Sequence, residues 1–361
     1  HCYAADATLV DTDKNVWAQG RMAWMLLTCY NSIEKRPEWM QYAESALKFL
    51  EEKCVDPTDG RMYFHMTADG TPIRKRRYAY SECFAAIAWA AHYGATGEAH
   101  SAERARHWFD VYADINFTPG KMAPKSTGNR PGENLGCRMI MIVTAQELRR
   151  YLGDADGFYT GWIDRCIDDL QRLFLHEDIK AVLENVAPDG SVIDHFDERV
   201  LNPGHDIEGG WFVLEEARYR GGDKKLIEIG CKMIDWALER GWDKKYGGLL
   251  YYTDVYNKPV QEYWHNMKFW WPHDEALIGT CLAYVMTGDE KYAEWHQRIH
   301  DWSFEHLQDK EHGEWFGYCN QDGSTTNGLK GSMWKSFFHH PRALWCCAHY
   351  LGAIAAPCSD K

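Results

Sequence analysis

The chain has 361 residues, a formal net charge of −13 at pH 7, and hydrophobic residues at 45% of its positions. A chain of this length can form one large hydrophobic core or two modest ones. The acidic balance, with no basic run longer than residues 74–77, excludes nucleic-acid binding through phosphate neutralisation and favours a small neutral or cationic partner. The longest apolar runs, such as residues 139–143, are too short to span a bilayer, so no membrane segment is expected.

The cysteine and aromatic content indicate the redox compartment of the protein and the kind of core or binding site it contains. Twelve cysteines are scattered without a CxxC pair, several of them in apolar stretches, and this pattern predicts free thiols in a reducing compartment, the cytoplasm. Seventeen tryptophans and 20 tyrosines are typical of a bulky helical core. They are also typical of clefts that bind sugars, because flat apolar faces pack on the C–H side of a sugar ring.

Apolar residues spaced by three and four positions predict eleven helices. The predicted helices cover residues 15–34, 38–53, 78–95, 99–116, 132–152, 157–176, 205–221, 225–241, 266–288, 290–307 and 335–354. Short segments with a glycine turn and aromatic residues recur between them and predict β-hairpins. The clear copies begin at Asp59, Ile179, Tyr246 and His312, and weaker ones begin at His1 and Ile115.

Six hairpins with two helices in each gap predict an architecture of helical pairs. We therefore expect an all-α fold, an (α/α)6 barrel with short β-hairpins at one end, forming a single catalytic domain over residues 1–361. Because eleven is an odd number, we also expect a short helix upstream of residue 1 that would pair with the last one. An open helical solenoid is the alternative, since the same repeats can stack without closing.

A histidine at a helix start is the first candidate for catalysis. In "NPGHDIEGGW", Pro203 and Gly204 place His205 in the first helical turn, where the positive end of the helix dipole disfavours a charged imidazolium. Glu208 lies about one turn further on the same face, where it can orient the ring or hold a substrate hydroxyl. The alternative is that His205 is a capping or core histidine.

A second histidine has a similar setting in "KSFFHHPRAL". Proline disfavours a helical residue before it, so we expect the helix to start near Pro341 and His339 to precede its N-terminus. The hypothesis is that His205 and His339 face each other across the barrel. Such a pair supports a two-base proton transfer, in which one group removes a proton from one face of a planar carbon and the other delivers it to the opposite face.

A third polar cluster lies in "HNMKFWWPHDEAL", where His273 and Glu275 flank Asp274. Two ligands at positions i and i+2 do not share a helical face, and no HExxH or clustered Cys/His pattern accompanies them, so no metal is expected. Trp271 and Glu275 suit a sugar held by stacking and hydrogen bonds, although core packing of the tryptophans is the alternative. The sequence contains no GxGxxG, P-loop or GxSxG motif.

The ordered set of motifs resembles the N-acylglucosamine 2-epimerase family, whose mammalian member is also called renin-binding protein. The resemblance extends from His1 to about Leu351. It is carried by "VWAQGRMAWM" (16–25), "YSECF" (80–84), "AVLENV" (181–186), "NPGHDIEGGWF" (202–212), "MKFWWPHDEAL" (267–277), "GEWFGY" (313–318) and "KSFFHHPR" (335–342). It implies an (α/α)6 barrel with His205 and His339 as the acid/base pair. It also implies that the sugar site is lined by Glu208, Glu275, Arg21 and Arg342.

The reaction that the resemblance implies is the interconversion of N-acetylglucosamine and N-acetylmannosamine through an enediolate at C1 and C2. No metal or redox cofactor is required, and Arg21 or Arg342 would stabilise the charge on O1. Mammalian-type members bind ATP as an activator that is not consumed, although no phosphate loop is present here. The expected partners are a small-molecule sugar and a second copy of the chain in a homodimer.

Departures from the family pattern keep other functions open. The stretches "GENLGCRMI" and "KGSMWKS" differ from it, and Asp206 is more similar to cellobiose 2-epimerases, whereas His273 and "HHPR" favour the N-acylglucosamine branch. One alternative is an epimerase or aldose–ketose isomerase that acts on another reducing sugar, such as mannose, glucose or a cellobiose-like disaccharide. The others are a non-catalytic binding protein on the same fold and a glycoside hydrolase of similar barrel shape.

Overall fold

The structure, a computed structural model, describes residues 1–76, 78–122 and 130–354. Eleven α-helices lie within these ranges: α1 (Val16–Ser32), α2 (Pro37–Lys53), α3 (Tyr80–Thr96), α4 (Ala99–Phe117), α5 (Leu135–Leu152), α6 (Phe158–Asp169), α7 (Pro203–Tyr219), α8 (Lys224–Gly241), α9 (Trp270–Thr287), α10 (Glu290–His306) and α11 (His339–Tyr350). Each overlaps one of the predicted segments, so their number and order are confirmed. The largest difference is at α6, which ends at Asp169 because a π-helical turn, Leu170–Phe174, follows it.

Fourteen short strands lie in the same ranges: β1 (Cys2–Ala4), β2 (Leu9–Asp11), β3 (Lys14–Asn15), β4 (His65–Met66), β5 (Pro72–Arg74), β6 (Glu133–Asn134), β7 (Leu175–His176), β8 (Ala181–Val182), β9 (Asn185–Val186), β10 (Val200–Leu201), β11 (Thr253–Asp254), β12 (Lys268–Phe269), β13 (Tyr318–Cys319) and β14 (Leu329–Gly331). Every pairing among them is antiparallel. Strands therefore form at the predicted hairpins, whereas the copy at Ile115 extends into residues 123–129, outside the described part.

Four of these strands lead directly into a helix. β3 ends next to α1, β6 next to α5 and β12 next to α9, while β10 ends two residues before α7. Each pairs with a strand that comes after the next two helices in the chain: β3 with β4, β6 with β9, β10 with β11, and β12 with β13. The hairpins thereby hold the N-termini of α1, α5, α7 and α9 in place.

Three of the hairpin segments in the described residues begin with the same aspartate turn. In each, the aspartate carbonyl accepts the backbone N–H of a glycine four residues later, at 2.9 Å. Each glycine has a φ between 70° and 75°, a conformation that is costly for residues with a side chain. The pairs are Asp56 with Gly60, Asp243 with Gly247, and Asp309 with Gly313. This turn explains the glycine that recurs in the sequence repeat.

The chain divides into two compact units. The first unit comprises His1–Pro124, Val143–Ile163 and Leu329–Lys361, and the second comprises Lys125–Ile142 and Asp164–Gly328. In the first unit, α1 packs on α2 and α3, and α3 packs on α4. In the second unit, α7 packs on α8 and α9, and α9 packs on α10. Two of the four boundaries between the units fall within α5 and α6. That residues 1–361 form a single domain stays a prediction.

Most of the tryptophans lie in the core. Eleven of the 17 tryptophans are buried, and Trp108, Trp315, Tyr112 and Tyr292 are among the largest fully buried side chains. This burial supports the interpretation of the tryptophans as a bulky helical core. None of the helices in the described part combines the length and hydrophobicity that crossing a bilayer requires.

His273, in the first turn of α9, connects that helix to a hairpin. Its Nδ1–H donates to the Phe269 carbonyl at 2.7 Å, and its Nε2 accepts the backbone N–H of Leu249 at 3.0 Å. The ring stacks on Trp302, with centroids 4.6 Å apart. Because the side chain is fully buried, desolvation lowers its pKa to about 3. Both ring nitrogens are thus used in structural contacts of a neutral imidazole.

Lowering the pH below about 6.5 should destabilise the fold through His273. The unfolded ring, with a pKa of about 6.5, takes up a proton that the folded ring does not bind until about pH 3. The free energy of unfolding should therefore fall by about 1.4 kcal/mol per pH unit as the pH decreases within this window. Urea denaturation from pH 8 to pH 5 measures this slope in the wild type and in His273→Gln.

The His273→Gln variant should be less stable at pH 8 and should have a shallower slope. His300→Gln, at a half-exposed position, is the matched control and should keep the wild-type slope. Equal slopes for the wild type and His273→Gln would contradict the prediction.

Candidate active site

The seven side chains predicted for the site lie in the first two turns of four helices. They are Arg21 in α1, His205 and Glu208 in α7, Trp271 and Glu275 in α9, and His339 and Arg342 in α11. The residues of α7 and α9 belong to the second unit, and those of α1 and α11 belong to the first unit. The hairpin pairings described above position the starts of α1, α7 and α9.

The start of α7 is determined by its local sequence. The Asn202 side chain accepts the backbone N–H groups of Gly204 and His205, at 3.1 and 3.2 Å, and thereby caps the helix. Pro203 takes the first helical position, where a missing N–H does no harm. His205 therefore lies in the first turn, as predicted.

The His205 ring is held between a carboxylate and a tryptophan. Its Nδ1 lies 2.7 Å from Oε1 of Glu184, and its ring centroid lies 5.1 Å from that of Trp271. Because an ionised carboxylate only accepts hydrogen bonds, Nδ1 carries the hydrogen. Nε2 of the neutral ring is then the atom that can take up a proton. The His205 side chain is 37% exposed, so solvent or a substrate can reach it.

Glu184 is itself anchored to the start of α5. Its backbone carbonyl accepts the N–H of Leu135 at 2.9 Å and the side-chain amide of Asn134 at 3.2 Å. The next residue begins β9, which pairs with β6. Nearby, Asp206 is buried, and desolvation, followed by the Glu184 charge, raises the pKa of Asp206 well above its usual range. Glu184 is therefore the carboxylate in contact with His205, whereas burial favours the protonated form of Asp206.

Glu208 and Glu275 form a buried acidic pair. One carboxylate oxygen from each lies within 4.8 Å of the other, and both residues are buried. Trp211 Nε1 donates to Glu275 Oε2 at 2.8 Å. Because buried carboxylates require hydrogen-bond donors, the pair is suited to sugar hydroxyl groups. Oxygens of this kind also bind divalent cations, and the absence of a metal requirement stays a prediction.

His339 is the first residue of α11, so the prediction that this helix starts near Pro341 is wrong by two residues. The backbone N–H of Arg342 already donates to the Phe338 carbonyl at 2.8 Å. Pro341 is tolerated in this turn because the first N–H groups of a helix have no partner within the helix. The Arg342 guanidinium lies 3.4 Å from Nδ1 of His339, and both side chains are buried.

Arg21 and Arg342 share an aromatic partner in the first unit. The Arg21 guanidinium carbon lies 4.2 Å from the Phe84 ring centroid and 4.8 Å from that of Phe338. The guanidinium carbon of Arg342 lies 4.4 Å from the centroid of the same Phe338 ring. Stacking on an aromatic face leaves the edge of a guanidinium available for hydrogen bonds, which suits the stabilisation of an oxyanion.

Glu184 is a site residue that the reasoning from residue spacing missed. It lies in "AVLENV", a stretch that carries part of the family resemblance. The signal in this stretch is weak, since a single glutamate beside a short strand is common on protein surfaces. Glu184 and His205 are 21 positions apart in the sequence, so their contact depends on the fold.

The family assignment comes from comparisons that cover nearly the whole chain. A sequence profile of the N-acylglucosamine 2-epimerase (GlcNAc 2-epimerase) family matches residues 1–343. The mouse N-acylglucosamine 2-epimerase is 33% identical over 361 aligned positions, and the alignment covers 98% of this chain and 85% of the mouse protein. The chain belongs to the N-acylglucosamine 2-epimerase family. It is a sugar 2-epimerase, an enzyme of the isomerase class, as the sequence predicted.

Proteins named for another sugar are also similar to this epimerase. The cellobiose 2-epimerase of Dictyoglomus turgidum is 24% identical over 348 aligned positions, and the alignment covers 91% of this chain and 85% of that protein. The solved structure of cellobiose 2-epimerase from Spirochaeta thermophila matches with a TM-score of 0.81 at 19% identity, covering 98% and 90% of the two chains. This likeness confirms the predicted fold class, all-α of the (α/α)6-barrel type.

A methyl group at Gly204 should disturb the site of this epimerase and leave the fold intact. An added Cβ would lie 2.6 Å from Cζ3 of Trp271, so the ring that contacts His205 would have to move. We expect Gly204→Ala to lower kcat/KM at least about tenfold, equivalent to about 1.4 kcal/mol of transition-state stabilisation.

Gly209→Ala is the matched control for Gly204→Ala in the same helix. Its added Cβ would lie 3.1 Å from the flexible end of Met233, which can move aside. This variant should keep kcat/KM within about twofold of the wild type. Steady-state kinetics with circular dichroism compares the two variants, and equal activities would contradict the prediction.

Proposed function

We propose that the epimerase interconverts N-acetylglucosamine and N-acetylmannosamine. The observation that carries this proposal is the 33% identity over 98% of the chain to the mouse N-acylglucosamine 2-epimerase. Identity to the cellobiose 2-epimerase of Dictyoglomus turgidum is lower, at 24%. The difference favours an N-acylated monosaccharide over a disaccharide as the substrate.

The proposed reaction is a proton transfer at C2 of the open-chain sugar. Ring opening exposes the C1 aldehyde, which makes the C2 proton acidic. A base removes this proton, the electron pair moves through the C1–C2 bond onto O1, and an enediolate forms. An acid then returns a proton to the opposite face of C2 and the aldehyde is restored. The sugar gains and loses no electrons overall, so the reaction needs no redox cofactor.

His205 and His339 are the proposed acid/base pair, one for each face of C2. The hydrogen bond from His205 Nδ1–H to Glu184 supports this role, since it directs proton exchange to Nε2. At His339, the Arg342 guanidinium can only donate, so Nδ1 is the acceptor and the hydrogen of the neutral ring is on Nε2. Each ring therefore has a defined tautomer.

The remaining residues bind the sugar and its developing charge in this proposal. Arg21 and Arg342 stabilise the negative charge on O1 of the enediolate, because a fixed cation is favourable where charge develops. Glu208 and Glu275 accept hydrogen bonds from sugar hydroxyl groups. Trp271 provides a flat face for the C–H side of the ring.

No metal takes part in the proposed chemistry, and ATP acts at most as an activator. Prolonged dialysis against a chelator should therefore leave kcat unchanged, because the two histidines supply the proton transfers and the arginines supply the charge. Turnover measured with and without added Mg²⁺ and Zn²⁺ tests this expectation. Loss of activity that a single divalent cation restores would contradict it. ATP is then titrated in the same assay.

A cytoplasmic location and a homodimeric state remain predictions for this epimerase. All eleven cysteines in the described residues are free thiols, which supports a reducing compartment. Sedimentation of the purified chain tests the dimer.

The two-base proposal predicts different isotope exchange in the two histidine variants. In D2O, the wild type should place deuterium at C2 of both epimers. His205→Asn and His339→Asn should each lower epimerisation by at least about 10³-fold, because each loses the group for one face. Each variant should still exchange the C2 hydrogen of one epimer, a different one in each case. NMR of the recovered sugars measures both quantities.

A substrate panel of N-acetylglucosamine, glucose, mannose and cellobiose accompanies this experiment. Exchange at C2 of both epimers by both variants would contradict the two-base assignment. Wild-type exchange with cellobiose and none with N-acetylglucosamine would overturn the proposed substrate. Ketose formation would identify an isomerase. His300→Asn is the control for a histidine outside the site, and it should behave as the wild type.

A further inference from the structure

The Glu184 carboxylate is in contact with His205 but takes no part in the proton transfer itself. Glu184 is 14% exposed at its side chain, and its Oε1 lies 2.7 Å from Nδ1 of His205. This distance is typical of a charge-assisted hydrogen bond. The partner of a catalytic imidazole can control which of its nitrogens is basic.

We propose that Glu184 is a positioning residue that fixes the orientation and tautomer of His205 and stabilises its protonated form during the reaction. This inference rests on the proposed function of His205. It assigns a role to a residue outside the acid/base pair, and one that does not touch the sugar.

Three independent contacts restrain the His205 ring in one pose. The helix cap holds its backbone, since the Asn202 side chain accepts the His205 N–H. Trp271 lies against one face of the ring, with an angle of 35° between the ring planes. Glu184 fixes rotation about the last side-chain bond, because a flip of the ring would place a carbon atom beside the carboxylate.

The backbone that carries the Glu184 carboxylate is held in place by hydrogen bonds. The carbonyl of Glu184 is bound by two donors from Asn134 and Leu135, at the start of α5. β9 follows immediately and pairs in register with β6. A carboxylate on such a backbone is already in position when His205 gains a proton. It can therefore stabilise the imidazolium without a cost in reorganisation energy.

Other acidic groups near the ring differ from Glu184 in their setting. Asp206, on the same helix as His205, is buried, and desolvation raises its pKa well above the usual range. Tyr251 lies near Trp271, edge to face with centroids 5.9 Å apart, and is a neutral phenol. A proton on His205 thus forms an ion pair with Glu184. In Glu184→Gln the shape is retained and that charge is lost.

Kinetics of Glu184→Gln and Glu184→Asp provide the first test. We expect Glu184→Gln to lower kcat about 10²-fold, with KM changed by less than about threefold, because Glu184 acts on the base and not on the sugar. Glu184→Asp keeps the charge and should recover part of kcat. Glu228→Gln, an exposed glutamate paired with Lys232, is the control and should match the wild type.

Nitrogen-15 NMR of the histidine rings provides a second test that requires no substrate. In the wild-type protein at pH 8, His205 should be in the Nδ1–H form, and Glu184→Gln should give a mixture of tautomers. A wild-type Nε2–H form would overturn the inference, and so would a kcat for Glu184→Gln within about twofold of the wild type.

The two tests also separate this inference from the proposed function. A wild-type enzyme that epimerises no sugar in the panel would defeat the proposed function, while the tautomer of His205 would still decide the role of Glu184. If Glu184→Gln fails to fold, Glu184→Asp and the wild-type spectrum decide the same point. A fall in kcat of Glu184→Asp that is fully accounted for by a smaller folded fraction, as thermal melting would show, would mean a structural role only and would overturn the inference.

Discussion

The candidate site depends on the antiparallel pairing of two-residue strands, which sets where its helices begin. β3, β10 and β12 pair in a defined register with hairpins that lie one helical pair further along the chain. A shift of one residue would turn each strand's side chains to the other face. Because α1 and α9 follow their strands directly, such a shift would also rotate the first helical turns. The positions of Arg21, Trp271 and Glu275 thus derive from a few backbone hydrogen bonds.

The polar groups of the second unit have different chemical settings although several of them are carboxylic acids. Glu184 accepts a hydrogen bond from a histidine, Asp206 is buried with a pKa raised by desolvation, and Glu275 accepts an indole N–H. Burial of a carboxylate is unfavourable unless a donor compensates for it, so each setting selects a charge state. His273 shows the same principle for an imidazole, since two backbone partners and full burial keep it neutral and structural. Residue type alone therefore does not assign a role.

Errors in the sequence-based predictions have identifiable physical causes. Proline was expected to exclude His339 from α11, but α11 begins at His339. A proline is tolerated there because the backbone N–H groups of a first helical turn have no acceptor within the helix, so its missing N–H breaks no hydrogen bond. The predicted end of the sixth helix was wrong because α6 is followed by a π-helical turn that starts at Leu170. The spacing of apolar residues does not reveal such a turn. Glu184 was missed because its partner is 21 residues away and belongs to a different helical pair.

The sequence by itself determined the eleven helices, the recurring glycine turns and the place of His205 in the first turn of α7. These features arise from interactions between residues a few positions apart, namely apolar periodicity, a positive φ at glycine, and the Asn-Pro-Gly cap. Tertiary structure alone decided that His205 is paired with Glu184 and that His273 is a neutral link between a helix and a hairpin. Those outcomes depend on burial and on hydrogen bonds between distant segments, and both exist only after the strands have paired and the helices have packed.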